Sequence, residues 1–134
     1  VCSSDLMELF SHEKYGSAKK HFTDFINEKN KFHDLKKLAS FLINHQDNHQ
    51  FEAQDFFISL AQYLLVQNIR PKTLGEIARL IKDENLPENL RQIILENPRK
   101  LEESALNYFK KFLKYEQKWQ NKILNILNNS LKKV

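Results

Sequence analysis

Apolar positions recur at helical spacing along most of the chain. From Phe32 they fall at Leu35, Leu38, Ala39 and Leu42, the stripe of one helical face. His45-Gln46-Asp47-Asn48-His49-Gln50 interrupts this stripe and predicts a loop. The most hydrophobic stretch follows, Phe51 to Asn68. Phe56, Phe57, Leu60, Ala61, Leu64 and Leu65 give it a wide apolar face that Tyr63 and Val66 extend, so this helix is expected at the centre of the fold. Arg70-Pro71 is expected to end it, because the residue before proline is pushed out of the α region. Thr73-Leu74-Gly75-Glu76 is a T-x-x-E capping box just ahead of Ile77, Ala78, Leu80 and Ile81. Leu86-Pro87-Glu88 opens a shorter helix with proline at the first helical position, and Leu90, Ile93, Ile94 and Leu95 are its apolar residues. Asn97-Pro98 closes it. A last helix is predicted from about Arg99 to Leu131, near 50 Å at ~1.5 Å per residue. Leu101, Ala105, Phe109, Phe112, Trp119, Ile123 and Ile126 keep its stripe, Glu116 breaks the stripe midway, and Asn128-Asn129-Ser130 is expected to fray. Upstream, Gly16 marks a break, and Ser17 is placed to cap a short helix running to about Asn27.

Composition narrows the fold class. The chain has 134 residues, 41% of them hydrophobic, with two Gly and three Pro. Sheet-rich folds need turn glycines at many corners, so this poverty favours long helices with few connections. The expected fold is all-α, a compact bundle of five to six helices with a long basic C-terminal helix. Residues 1–6, Val-Cys-Ser-Ser-Asp-Leu, resemble translated sequencing-adapter read-through and are set aside, leaving 7–134 as a single all-α domain that is a fragment if Met7 is internal. Cys2 is the only cysteine, which excludes a disulfide framework. Neither a membrane span nor a signal peptide is visible, and the expected location is cytoplasmic.

Catalytic chemistry finds no foothold. His45 and His49 flank Asp47 at four-residue spacing, yet zinc takes three or four protein ligands, and the pair reads as a polar loop with no metal. Gly16 and Gly75 stand alone, so no phosphate-cradling glycine loop can be written, and no cofactor is expected. Ser59 and Ser104 lack the glycine neighbours of a nucleophile elbow. Glu102 and Glu103 complement a helix dipole, and Asp83 and Glu84 sit at a helix exit in solvent. The chain is therefore expected to bind rather than to catalyse.

Charge adds the one functional feature. Residues 1–70 carry 8 Lys/Arg against 9 Asp/Glu, whereas 104–134 carry 7 against 1. Lys111, Lys114, Lys118 and Lys122 recur at 3, 4 and 4 residues with Lys110 beside them, and Tyr108, Tyr115 and Trp119 are interleaved. Such a stripe suits phosphate neutralisation, with aromatics to stack on unpaired bases. The same lysines also suit a solvated helix face, and the Lys- and Asn-rich usage of an AT-rich genome raises their number. The nucleic-acid reading nominates Lys110, Lys111, Lys114, Lys118, Lys122, Trp119 and Tyr115.

The ordered series of motifs resembles a known family. Phe22-Thr23-Asp24-Phe25-Ile26 is followed by Asp34-Leu35-x-x-Leu38-Ala39-x-x-Leu42-Ile43 and by Gln54-Asp55-Phe56-Phe57-x-x-Leu60-Ala61. Thr73-Leu74-x-x-Ile77, Leu86-Pro87, Ser104-Ala105-Leu106-Asn107 and Lys122-Ile123-Leu124-Asn125 complete it. In this order the segments are similar to the all-alpha domain of type IV secretion coupling proteins, the hexameric ATPases that feed DNA or protein into conjugation channels. Gln54-Asp55-Phe56-Phe57 matches that family's D-P-F-[FW] motif without its proline. The resemblance implies a substrate-recognition domain at the cytoplasmic face of the inner membrane. Its partners would be DNA or a relaxase or accessory protein of a transfer complex, and a hexamer would form only within the parent ATPase. The ATPase motifs themselves are absent from this chain. A stand-alone helical adaptor for protein–protein interaction is the alternative.

Overall fold

The computed structural model describes residues 21–44, 49–67, 70–96 and 100–132. Among them the structure is all-α, a bundle of six helices without a strand. They are α1 (Lys31–Leu42), α2 (Gln50–Leu65), α3 (Leu74–Lys82), α4 (Leu86–Glu96), α5 (Glu103–Lys114) and α6 (Gln117–Lys132). Residues 1–20, with the adapter-like segment, Gly16 and the Ser17 cap, lie outside the described residues, as do 45–48 and 97–99.

α2 is the hub, packed by α1, α5, α6 and α3. An unbroken run from Phe56 to Leu64 is buried, which leaves that part of the helix no solvent face. Each large side chain so buried contributes about 1.5–3 kcal/mol relative to exposure. Phe56 sits at the tightest junction, with ring centroids 4.5 Å from Phe112, 5.6 Å from Tyr108 and 6.3 Å from Phe109 on α5. The α1 stripe Leu35, Leu38, Ala39 and Leu42 is buried as its spacing predicts, but Phe32 at its head is 44% exposed. Phe51 and Leu95 also face solvent.

Three expected boundaries change. No α-helix runs to Asn27: Phe22–Phe25 is a 3-10 turn, and Ile26 is extended. The competing force is tertiary, since His21 bridges Thr73 in antiparallel fashion and the Phe22 amide donates to the Lys72 carbonyl at 3.0 Å while its ring is fully buried. The single helix from Arg99 to Leu131 is two helices. Tyr115 turns out of the α region at ψ 149°, and α6 then packs on α2 and α3. Gln120, 7% exposed, donates from Nε2 to the Phe112 carbonyl at 2.9 Å and closes the end of α5. Finally, Asn128-Asn129-Ser130 does not fray, because Ser130 is fully buried, donates to the Ile126 carbonyl and is followed by buried Leu131.

With two glycines in the chain, helix ends are closed by side chains. None of the C-caps of α1, α2, α3 and α5 has positive φ. Gln54 Nε2 donates to the Ile43 carbonyl beyond α1, and Lys72 Nζ to the Gln67 carbonyl beyond α2. Asp83 is not a bystander in solvent: its carboxylate accepts from the Asn85 amide and the Asn89 side chain, joining α3 to α4. Thr73 caps α3 by accepting from the Glu76 amide at 3.1 Å, the threonine half of the expected capping box, while the Glu76 carboxylate turns to arginines instead of the Thr73 amide. The Glu76 carboxylate, 8% exposed, is held by Arg79 through two bonds of 2.7 Å and by Arg70 at 3.1 Å.

The Arg79 hydrogen bonds, followed by that of Arg70, keep the Glu76 carboxyl below its ordinary value of 4.5 despite burial. A depressed native pKa supplies stability that is complete above the unfolded value and is lost as pH falls through the native one. Glu76→Gln is therefore expected to cost about 1–3 kcal/mol at neutral pH. That deficit should shrink on acidification below about pH 4.5. Urea denaturation of both proteins at several pH values checks this, and a pH-independent difference would contradict the assignment.

Candidate nucleic-acid interface

The break at Tyr115 divides the lysine series between two helices. Lys110, Lys111 and Lys114 ride on α5, while Lys118 and Lys122 ride on the first turns of α6. The continuous stripe expected of one long helix is therefore replaced by two short cationic rows meeting at a corner. All five lysines are exposed. They are not equivalent electrostatically.

Lys111 is neutralised from the core helix. Its ammonium lies 3.2 Å from Glu52 Oε1 in the first turn of α2, and the Tyr115 hydroxyl donates to the same oxygen at 3.1 Å. Tyr108 lies beneath, 7% exposed, and its hydroxyl donates to the Glu52 backbone carbonyl at 2.9 Å. Burial, reinforced by the Glu52 charge, pushes the Tyr108 hydroxyl far above its ordinary range, so it stays a donor at any physiological pH. Tyr108 and Tyr115 thus tie α5 to α2. Tyr115 is only partly exposed, and Tyr108 presents no face for stacking.

Trp119 organises the other end of the corner. It is 37% exposed, with Lys118 Nζ 5.0 Å and Lys122 Nζ 5.9 Å from its ring centroid, both within cation–π range. The His49 ring packs against it at 4.8 Å and 51°. His49 thereby belongs to an aromatic contact, while His45 and Asp47 lie outside the described residues. Among the described residues no group of three or more His, Cys, Asp or Glu is placed to hold a metal, and no helix is long and apolar enough to cross a membrane. Lys110, Lys114, Lys118 and Lys122 form no ion pair among the described residues, and Glu116 is the one acid within 104–132.

Glu52 and His49 were not legible as parts of this site. Both enter from the start of α2, and Glu52 meets partners 56 to 63 residues away, a separation that carries no local signal. In comparisons with protein-family models, with curated proteins and with solved structures, none matches this chain. Its surface chemistry is therefore the ground for a functional assignment.

Proposed function

We propose that this bundle binds nucleic acid at the α5–α6 corner, as the substrate-recognition all-alpha domain of a conjugative type IV secretion coupling ATPase at the cytoplasmic face of the inner membrane. The observation that supports the binding step is the set of four exposed, unpaired ammonium groups, Lys110, Lys114, Lys118 and Lys122, on two successive helices. Each can neutralise a phosphate and release a condensed counterion. Trp119 steers two of them through its ring, and its partial exposure leaves aromatic surface for an unpaired base. The family context rests on the order of motifs along the sequence, and ATP hydrolysis would belong to the parent protein's other domains.

Four phosphate contacts on single-stranded DNA give an affinity that falls with salt at a log–log slope of about −3. Lys118→Glu with Lys122→Glu should reduce binding at least about ten-fold and roughly halve that slope. Fluorescence anisotropy with a labelled oligonucleotide, supported by circular dichroism to show unchanged helicity, measures both. Salt-insensitive binding, or affinity that survives the double reversal, removes the phosphate surface and favours an adaptor that takes a protein partner.

Glu52 supplies a finer test. Glu52→Gln keeps an acceptor for Tyr115 but releases Lys111 as a fifth free cation, so DNA affinity should rise and the salt slope steepen by about 0.7. A lower affinity in a folded variant would show that the Glu52–Lys111 pair is part of the binding geometry instead.

The family context has its own test in the source DNA. A continuous reading frame with G-x-x-x-x-G-K-[ST] upstream and a strand ending in Asp-Glu downstream would place this domain within a coupling ATPase. Stop codons close to Met7 and Val134 would leave a small helical protein.

A further inference from the structure

The polar surface of α6 does not end at the lysine corner. Beyond it a cleft of about 350 Å³ lies between the end of α3 and the middle of α6, lined by Ile81, Lys82, Asn121, Leu124, Asn125 and Asn128. The four α6 residues fall at i, i+3, i+4 and i+7, one row of that helix. Asn121 stands three residues after Lys118, and Asn125 three after Lys122, so the amide row adjoins the cationic one on the same helix surface.

Charge in this lining has one sign. Lys82, exposed in the last turn of α3, forms no ion pair among the described residues, and among them no carboxylate lines the cleft. The neighbouring acid, Asp83, is engaged at the α3–α4 junction, where its carboxylate accepts from the Asn85 amide and the Asn89 side chain. The asparagines offer uncommitted polar groups. Asn121 Oδ1 accepts from Gln117 Nε2 at 2.9 Å, which leaves the Asn121 Nδ2 protons available. Asn125 is exposed and has no side-chain hydrogen bond among the described residues. Leu124, partly buried beside them, gives the same wall an apolar surface.

We propose that this α3–α6 cleft carries the nucleic-acid strand onward from the lysine corner, with a phosphate on Lys82, base edges on Asn121 and Asn125, and base faces against Leu124. The inference rests on the binding reading of the corner and extends its footprint. Chemistry narrows the occupant. A cation would meet Lys82, and an apolar ligand would strip water from an ammonium and from amides without replacing their hydrogen bonds. An acidic peptide would satisfy Lys82, but carboxylates only accept and match half of each carboxamide. A base edge sets donors and acceptors side by side and matches both halves. Adjacency supports the same choice. From Lys118 to Asn128 the helix rises about 15 Å, a path of several nucleotides at about 3.4 Å each in a stacked strand.

Fluorescence anisotropy with a labelled single strand of about 12 nucleotides reads two separate signatures. Lys82→Gln removes a phosphate contact, so binding should weaken and the log–log salt slope become shallower by about 0.7. Asn125→Ala removes a base contact, so binding should weaken at least about three-fold with the slope unchanged. Melting temperatures close to that of the parent chain are expected for both, since neither side chain is paired within the fold. In a chemical-shift titration the Asn121 and Asn125 side-chain amides should move saturably with the strand, but not with inorganic phosphate or a poly-glutamate peptide. Unchanged affinity and slope in both variants, while Lys118→Glu with Lys122→Glu still weakens binding, would overturn the cleft and leave the corner standing. No binding by the parent chain overturns both. Equal amide shifts from phosphate or poly-glutamate overturn the strand and mark a site for anions in general.

Discussion

A helix buried around its circumference can exist only if other helices enclose it, and α2 sets that demand on this fold. Phe56, Phe57, Leu60, Ala61 and Leu64 are fully buried, and α1, α5 and α6 supply most of the cover. The aromatic contacts of Phe56 with Tyr108, Phe109 and Phe112 fix where α5 lies along it. Most remaining features follow from how polar groups are accommodated on or near this hub. Buried polar atoms are tolerated where they find partners, and α2 carries several that do. Ser59 bonds its own helix, Gln54 reaches the Ile43 carbonyl, and the Glu52 carbonyl receives Tyr108.

Glu52 links the core to the surface. From the first turn of α2 it draws in Lys111 and Tyr115 from the end of α5, where the chain turns toward α6. The lysine series is consequently sorted: one member is paired to the core helix, two hold positions around Trp119, and two remain free on α5. Counting lysines along a sequence gives their number, whereas this pairing decides how many are available to a phosphate.

Scarcity of glycine shapes the connections. Glycine usually terminates helices by adopting positive φ and freeing the chain to turn. Here side-chain donors and acceptors take over that work, with Lys72, Gln54, Gln120, Thr73 and Asp83 satisfying backbone groups at helix ends. Such closures bring specific long side chains to the junctions and leave Glu76 in a compact ion network beside the α3 cap.

The periodic apolar pattern by itself determined an all-α fold, the α1 stripe, the central place of α2, the Thr73 cap and the start of α4 near Leu86-Pro87. These rest on interactions within about one helical turn, which short sequence windows contain. Tertiary structure alone decided the rest. Phe22 left helical geometry because its backbone pairs with Lys72, and the last helix broke at Tyr115 with neither Gly nor Pro present. Glu116 marked that place in the stripe, but its meaning depended on where α6 could pack. The sequence likewise named the five lysines and Trp119, but not Glu52 or His49 as parts of the site. Glu52 acquires its partners only when segments 56 to 63 residues apart are brought together, and no local spacing encodes that encounter.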